Sequence, residues 1–438
     1  MSYKNYPKPL EASRIIEHLN EYARLKHEYG AEDIDPVLND TMIFLERQLQ
    51  KILNLKEDED LAAKEPNELS KIKALRNSAQ RNLWKAFDGE LYRNRLKGAL
   101  IGRFAGCTLG APVEFWPIEA MESWAKWIGD EFPNTDYWSS IKSPNELRYG
   151  KSPCHAYTRP GLDGVPVDDD ITYTLLGLLI AEDYGLDFNT EHVGKAWLKY
   201  LPYACTAEDA ALTNLKNGVP ADKSADIGNP YVQWIGADIR SDPFGYLAPG
   251  LPEKAAEMAY YDAYVSHRRN GIYGEMFFSA AIAAAFAYKN PIDALIAALN
   301  EIPRECMLYK DIEWAIEKSG SIRDYRHARE TVDEYFSGMS GVHTNNNAAL
   351  AIFGLALGKD DFTKAISQTV AMGLDNDCTG ATVGSLFGAS FGIDAIPVKW
   401  YEKFGNKIYT YMTGREEFRI DEVINRFETL AAKNFSAV

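Results

Sequence analysis

Two carboxylates stand two residues apart in Gly373-Leu374-Asp375-Asn376-Asp377-Cys378-Thr379-Gly380, and three stand in a row in Val167-Asp168-Asp169-Asp170-Ile171. A further acid, Glu114, follows Ala111-Pro112-Val113. Carboxylates in such groups can do two kinds of chemistry. They can ligate a hard divalent cation, which wants oxygen donors and negative charge. They can also accept and donate protons as general bases and acids. One aspartate is enough to cap a helix. Three in a row repel one another, and a cation relieves that repulsion, so for Asp168 to Asp170 a cap and a metal site both stand open.

Elements must bring these acids together, and glycine spacing suggests which ones. Glycines at 380, 384, 388 and 392 follow the Asp375–Asp377 pair, and no charged residue occurs from Gly380 to Ile393. Glycines at 98, 102, 106 and 110 precede Glu114 at the same period. Every fourth residue lies along one face of a helix. Each glycine there costs roughly 1 kcal/mol against alanine, so two such stripes call for close backbone approach. The spacing predicts two tightly packed central helices, with Glu114 after the first and Asp375 and Asp377 before the second. The Thr379 hydroxyl is placed to cap the second helix.

The rest of the chain reads as helices and loops without a strand pattern of note. Residues 10–92 show helical spacing at Ile15, Ile16, Leu19 and Ala23 and at Met42, Leu45, Leu49, Ile52 and Leu53. A break falls near Pro66, and a third helix is expected from about Leu69 to Tyr92. The region 116–159 is rich in aromatics, which suit a core or a stacking surface. Asn229 to Tyr246 mixes turn formers with polar groups, as an irregular ligand-facing segment would. Ser266-His267-Arg268-Arg269-Asn270-Gly271-Ile272-Tyr273-Gly274-Glu275 leads into an alanine-rich helix, and His267, Gly271 and Tyr273 there are candidates for substrate contact. Asn346, in Asn345-Asn346-Asn347, is another such candidate or a helix cap, and Gly373 is one beside the acid pair.

The bulk numbers bound the function. The chain has 438 residues, 46% of them apolar, which supports a real core in one large domain or two ordinary ones. A formal charge of −16 without a basic run argues against a nucleic-acid groove. Five scattered cysteines form no CxxC pair, so neither a zinc knuckle nor a disulfide framework is indicated. No hydrophobic signal core opens the sequence, and no apolar run suffices to span a membrane. A cytoplasmic location is expected.

Three of these blocks, taken in order, resemble the ADP-ribosylglycohydrolases, the group that includes the dinitrogenase reductase-activating glycohydrolase. Gly98-Ala99-Leu100-Ile101-Gly102 through Gly110-Ala111-Pro112-Val113-Glu114 is similar to the family's first helix and its glutamate. Asp168-Asp169-Asp170 is similar to its Thr-Asp-Asp block, and Gly373-Leu374-Asp375-Asn376-Asp377 to its Asp-x-Asp block. Weaker likenesses lie at Asn346-Asn347-Ala348-Ala349 and at Ile239-Arg240 to Gly245. The likeness runs from about Arg95 to Phe404, so residues 1–92 are expected to be a helical N-terminal extension and 93–438 the family domain.

The resemblance implies an all-α orthogonal helical bundle that cleaves an N- or O-glycosidic ADP-ribosyl bond. It implies a centre of up to two ions, Mg2+ or Mn2+, on Asp168, Asp169, Asp170, Asp375, Asp377 and Thr379, with Glu114 or Asp170 handling the proton of the attacking water. Asp168 takes the family's threonine place, or Val167 does under a one-residue shift. The family's hydroxyl ligand after the second aspartate is replaced by Cys378. Either Thr379 supplies that oxygen or one metal is held by fewer protein groups. The implied partner is an ADP-ribosylated protein or a small ADP-ribosyl or ribosyl substrate. Alternatives are a glycosidase on another sugar and a non-catalytic ADP-ribose-binding relative.

Overall fold

A computed structural model of the chain describes residues 6, 7, 10 and 12–436. It is built of helices, with two small antiparallel sheets among the described residues, Leu147–Arg148 with Ser152–Pro153 and Lys407–Tyr409 with Glu417–Arg419. Its described residues divide into two compact units, one reaching to 63 and the other beginning at 64. In the first unit, the helices Ser13–Glu28 and Ile34–Leu53 form with the expected amphipathic spacing. None of their residues is buried, and Ile15, Met42, Leu49, Ile52 and Leu53 are exposed.

The second unit carries the acids and starts earlier than the reach of the resemblance. Residues 64–92 belong to it through Glu65, which binds Arg269 (2.7 Å), and buried Ile72 and Trp84. The helix expected from Leu69 to Tyr92 ends at Ala74, and the next begins at Gly89. Tertiary bonds hold the stretch between them open. Arg76 pairs with Glu253 (2.6 Å) and with buried Glu301, and the Trp84 indole donates to the Phe286 carbonyl (3.1 Å). Asp88 then caps the new helix by accepting the Leu91 amide (3.0 Å).

At the centre the helices Gly89–Gly110 and Asn376–Phe391 run antiparallel with their glycine stripes facing. A Cβ on Gly102 would lie 2.1 Å from the Gly384 carbonyl oxygen, and one on Gly384 would lie 2.0 Å from that of Gly102. Gly106 meets Gly380 (2.0 Å) and Gly98 meets Gly388 (2.7 Å) in the same way. At Gly110, the last of the stripe, a Cβ would lie 2.5 Å from the Asp377 backbone. The predicted packing is therefore present, and its register brings the end of one helix, just before Glu114, onto the start of the other.

Arg103 ties a third helix to this pair. It is fully buried on the first glycine helix and spends its donors on Asp170 Oδ1 (2.9 Å), the Asp170 carbonyl (2.9 Å), Thr174 (2.6 Å), Asp242 (2.7 Å) and the Ile239 carbonyl (2.6 Å). A buried guanidinium is tolerated when paired in this way. It anchors the helix Asp169–Tyr184 and the turn Ile235–Arg240 beside the glycine pair. No described helix is long and apolar enough to cross a membrane.

Candidate functional site

Each acid is presented by a helix end. Asp168 is the N-cap of the Asp169–Tyr184 helix, and its carboxylate accepts the Asp170 amide at 3.2 Å. The cap reading therefore holds for Asp168, and the same residue also belongs to a group of acids that could hold a metal. Asp375 is the N-cap of the second glycine helix, which begins at Asn376. Thr379, expected as the cap, lies one turn inside, where its hydroxyl donates to the Asp375 carbonyl (3.0 Å) and holds that residue. Asp375 precedes Thr379 by a full turn, so its backbone carbonyl is the nearest acceptor for that hydroxyl.

The acids converge in two groups. Oxygens of Glu114, Asp375 and Asp377 lie within 4.8 Å of one another, as do those of Asp168, Asp170 and Asp377. Asp377 belongs to both. These clusters can hold a metal, because every donor is an oxygen and the charge is concentrated. Burial raises the pKa of Asp168, Asp170, Asp375 and Asp377. Burial, then the neighbouring Asp377, pushes Glu114 up to about 8. Carboxylates forced this close need a proton or a cation, and either relieves the repulsion.

A cavity of about 220 Å3 opens against the acids. Glu114, Asp169, Asp170, Asp375 and Asp377 face it, with Phe115, Tyr149, Tyr173 and Trp234 as aromatic walls. Glu208 lines it too, held by Arg240 (2.5 Å) and pushed up to about 7 by burial against that pull. The Asn229–Tyr246 segment, expected to be irregular, is helical over Ile235–Arg240 and from Asp242 on, and it lends Trp234, Ile235, Gly236 and Ile239 to the lining. Backbone strain gathers here. Phe115, Tyr149, Thr206 and Leu374 have φ of 60°, 51°, 45° and 58°, and the Phe115 amide donates to the Leu374 carbonyl (3.0 Å). Non-glycine residues in this region cost energy and cluster at functional sites.

The remaining candidates lie outside the lining. His267 is fully buried, bonded to the Ser266 hydroxyl (2.8 Å), with burial lowering its pKa. Gly271 backs onto the Val232 carbonyl, where a Cβ would come within 2.3 Å. The Tyr273 hydroxyl donates to the Pro66 carbonyl (2.6 Å), and Asn346 donates to the Ser340 carbonyl (2.8 Å). His343, not an asparagine, caps that helix by accepting the Asn345 amide (3.2 Å). Gly373, at φ 72°, supports the turn into Leu374 and Asp375.

One residue at the centre has no counterpart among the expected ones. Arg148, on the small hairpin at 147–153, donates to Glu114 Oε2 (2.9 Å), the Ala111 carbonyl (2.9 Å), Asp168 Oδ2 (3.1 Å) and Asp377 Oδ2 (3.1 Å). Its neighbour Tyr149 donates to Asp169 Oδ1 (2.6 Å). Both sit in the 116–159 stretch, whose aromatics drew the reading towards core or stacking. The contact depends on the hairpin folding back, which no local spacing encodes.

Comparison with known proteins bears on the same residues. A family profile described as ADP-ribosylglycohydrolase matches residues 88–433, which takes in every acid of the site. The chain is 45% identical over 49 residues to the ADP-ribosyl-[dinitrogen reductase] glycohydrolase of Rhodospirillum rubrum. That match spans 11% of this chain and only 17% of the relative's length. A solved structure named ADP-ribosylglycohydrolase-related protein complex superposes with a TM-score of 0.52 at 19% identity. It covers 79% of this chain and 99% of its own, a likeness of fold.

Proposed function

Since the chain belongs to the ADP-ribosylglycohydrolase family, we propose that it hydrolyses an ADP-ribosyl bond at the anomeric carbon, in the cavity walled by Glu114, Asp169, Asp170, Asp375 and Asp377. The observation that carries this reading is the convergence of two carboxylate groups on Asp377 at the wall of that cavity. A divalent ion, Mg2+ or Mn2+, suits the all-oxygen donor set and would be held by Asp375, Asp377 and Glu114, with Asp168, Asp169, Asp170 and Thr379 as further donors. Such an ion supplies Lewis acidity and orients ribose hydroxyls and water.

The chain's own groups do the rest. The Arg148 bond fixes Glu114 Oε2, so Oε1 is the oxygen that accepts a proton from water. Arg103 fixes Asp170 Oδ1 in the same way, which leaves Oδ2 to face the reacting centre. The carboxylates stabilise the oxocarbenium-like charge at the anomeric carbon. Glu208, on the same cavity, can carry a proton at neutral pH. At about 220 Å3 the cavity is smaller than pockets for whole drug-sized ligands, roughly 300–1,000 Å3. It suits a ribosyl ring, with diphosphate and adenine at the mouth near Phe115, which is half exposed, and Trp234. The substrate class is an ADP-ribosylated protein or a small ADP-ribosyl compound, and a soluble cytoplasmic setting fits both.

Calorimetric titration of ADP-ribose with and without Mg2+, beside a release assay on ADP-ribosyl-arginine, tests the reading. Mg2+-dependent binding together with release is expected. Binding without release would make the protein a non-catalytic reader of ADP-ribose, and neither binding nor release would move it to another sugar.

A further inference from the structure

The two acid groups differ in what already satisfies them. In the Asp168, Asp170 and Asp377 group, five of six carboxylate oxygens have protein donors. Asp168 Oδ1 accepts the Asp170 amide (3.2 Å) and Oδ2 accepts Arg148 (3.1 Å). Asp377 Oδ1 accepts the Cys378 amide (3.1 Å) and Oδ2 accepts Arg148 (3.1 Å). Asp170 Oδ1 accepts Arg103 (2.9 Å). Asp168 is fully buried and does not line the cavity. In the other group three of the six have one, Glu114 Oε2 from Arg148 (2.9 Å) and both oxygens of Asp377, and Glu114 and Asp375 are partly buried and face the cavity.

Arg148 is built into this place. Tyr149 beside it is pinned through its hydroxyl to Asp169 (2.6 Å) and through its carbonyl to the Tyr203 hydroxyl (2.6 Å). The Tyr149 ring stacks on Tyr411 at 5.5 Å. The Arg148 guanidinium lies over the rings of Tyr149 (5.4 Å) and Tyr157 (5.6 Å), and its side chain is 17% exposed. A planar fork of donors can bridge carboxylates at fixed angles as a flexible ammonium cannot.

We propose that Arg148 takes the place of one cation: the centre binds a single divalent ion against Glu114, Asp375 and Asp377, and the guanidinium is the fixed second positive charge between Asp168 and Asp377. This rests on the metal reading given above. The side chain after Asp377 agrees with it, because Cys378 offers a buried thiol, a poor partner for a hard ion. Removing the guanidinium exposes Asp168 Oδ2, Asp377 Oδ2 and Glu114 Oε2 and opens the second group to an ion.

The test is the count of Mn2+ bound per chain after equilibrium dialysis, read by elemental mass spectrometry, for the wild type and Arg148→Gln. Thermal melting with and without Mn2+ accompanies it as a check of folding. One ion in the wild type and two in the variant are expected, with a larger Mn2+-induced rise in melting temperature for the variant. Two ions in the wild type overturn the proposal without any variant. The same non-zero count in both proteins also overturns it, while leaving the metal reading standing. No ion in either protein overturns the metal reading itself, and this one with it.

Discussion

Asp377 is the residue on which the site turns, because it is the only acid common to both groups and it also accepts from Arg148 and the Cys378 amide. Asp377→Asn keeps the shape and removes the charge. It should lower turnover by at least roughly 10²-fold, the scale of losing a key electrostatic partner, while the far-ultraviolet circular dichroism stays unchanged. Glu114→Gln should cost about 10²–10⁴-fold, as loss of a general base does, and should flatten the rise of rate with pH. The acids were legible in the sequence, since residue type and spacing carry carboxylate chemistry. Arg148 was not. Its role is set by which loop folds onto the acids, and a lone arginine among tryptophans and tyrosines gives no period to read. His267 is no guide to the cavity for a related reason: a histidine next to arginines and a glycine turn suggests substrate contact in sequence, but this one is fully buried and outside the lining.

At the scale of elements, the glycine stripes are what let carboxylates from distant parts of the chain meet. Their meaning could be read in advance, because four glycines on one helical face are costly unless something must come close. Gly384→Ala would push a Cβ to 2.0 Å from the Gly102 carbonyl oxygen. Backbone cannot yield as a side-chain tip can, so the expected loss of stability is about 3 kcal/mol or more, at or above the upper end of overpacking costs. Gly320→Ala, where nothing lies within 4 Å and φ is −66°, is the control. It should be neutral or stabilising by about 0.4–1 kcal/mol. Denaturant titration of both variants measures the difference. Helix ends were less legible than helix cores. The helix expected to run through to Tyr92 is cut at Ala74 by ion pairs from Arg76 to Glu253 and Glu301, partners 177 and 225 residues away that no local window contains.

Over the whole molecule, the acid nest makes stability depend on pH and on divalent ions together. Glu114 has its folded pKa raised, from 4.5 to about 8, mainly by burial. The folded state therefore binds more protons than the unfolded one across that window, and stability must fall as pH rises through it. Asp168, Asp170, Asp375 and Asp377 are shifted in the same direction. In EDTA the melting temperature should fall from about pH 5 to pH 8, and Mg2+ should remove most of that slope by favouring the ionised form. The all-helical class was legible from the helical period and the lack of a strand pattern, while residues 64–92 carry no motif and are held to the second unit by tertiary contacts. A chain beginning at Lys64 is expected to melt cooperatively and to respond to Mg2+ as the full chain does.

The central claim is that this acid nest cleaves ADP-ribosyl bonds, and the most direct measurement is the ADP-ribose released from ADP-ribosyl-arginine by the wild type in Mg2+, by the wild type in EDTA, and by Asp377→Asn in Mg2+. The account predicts release in the first case and its loss in the other two. Release at equal rates in all three, or none in any, would contradict it.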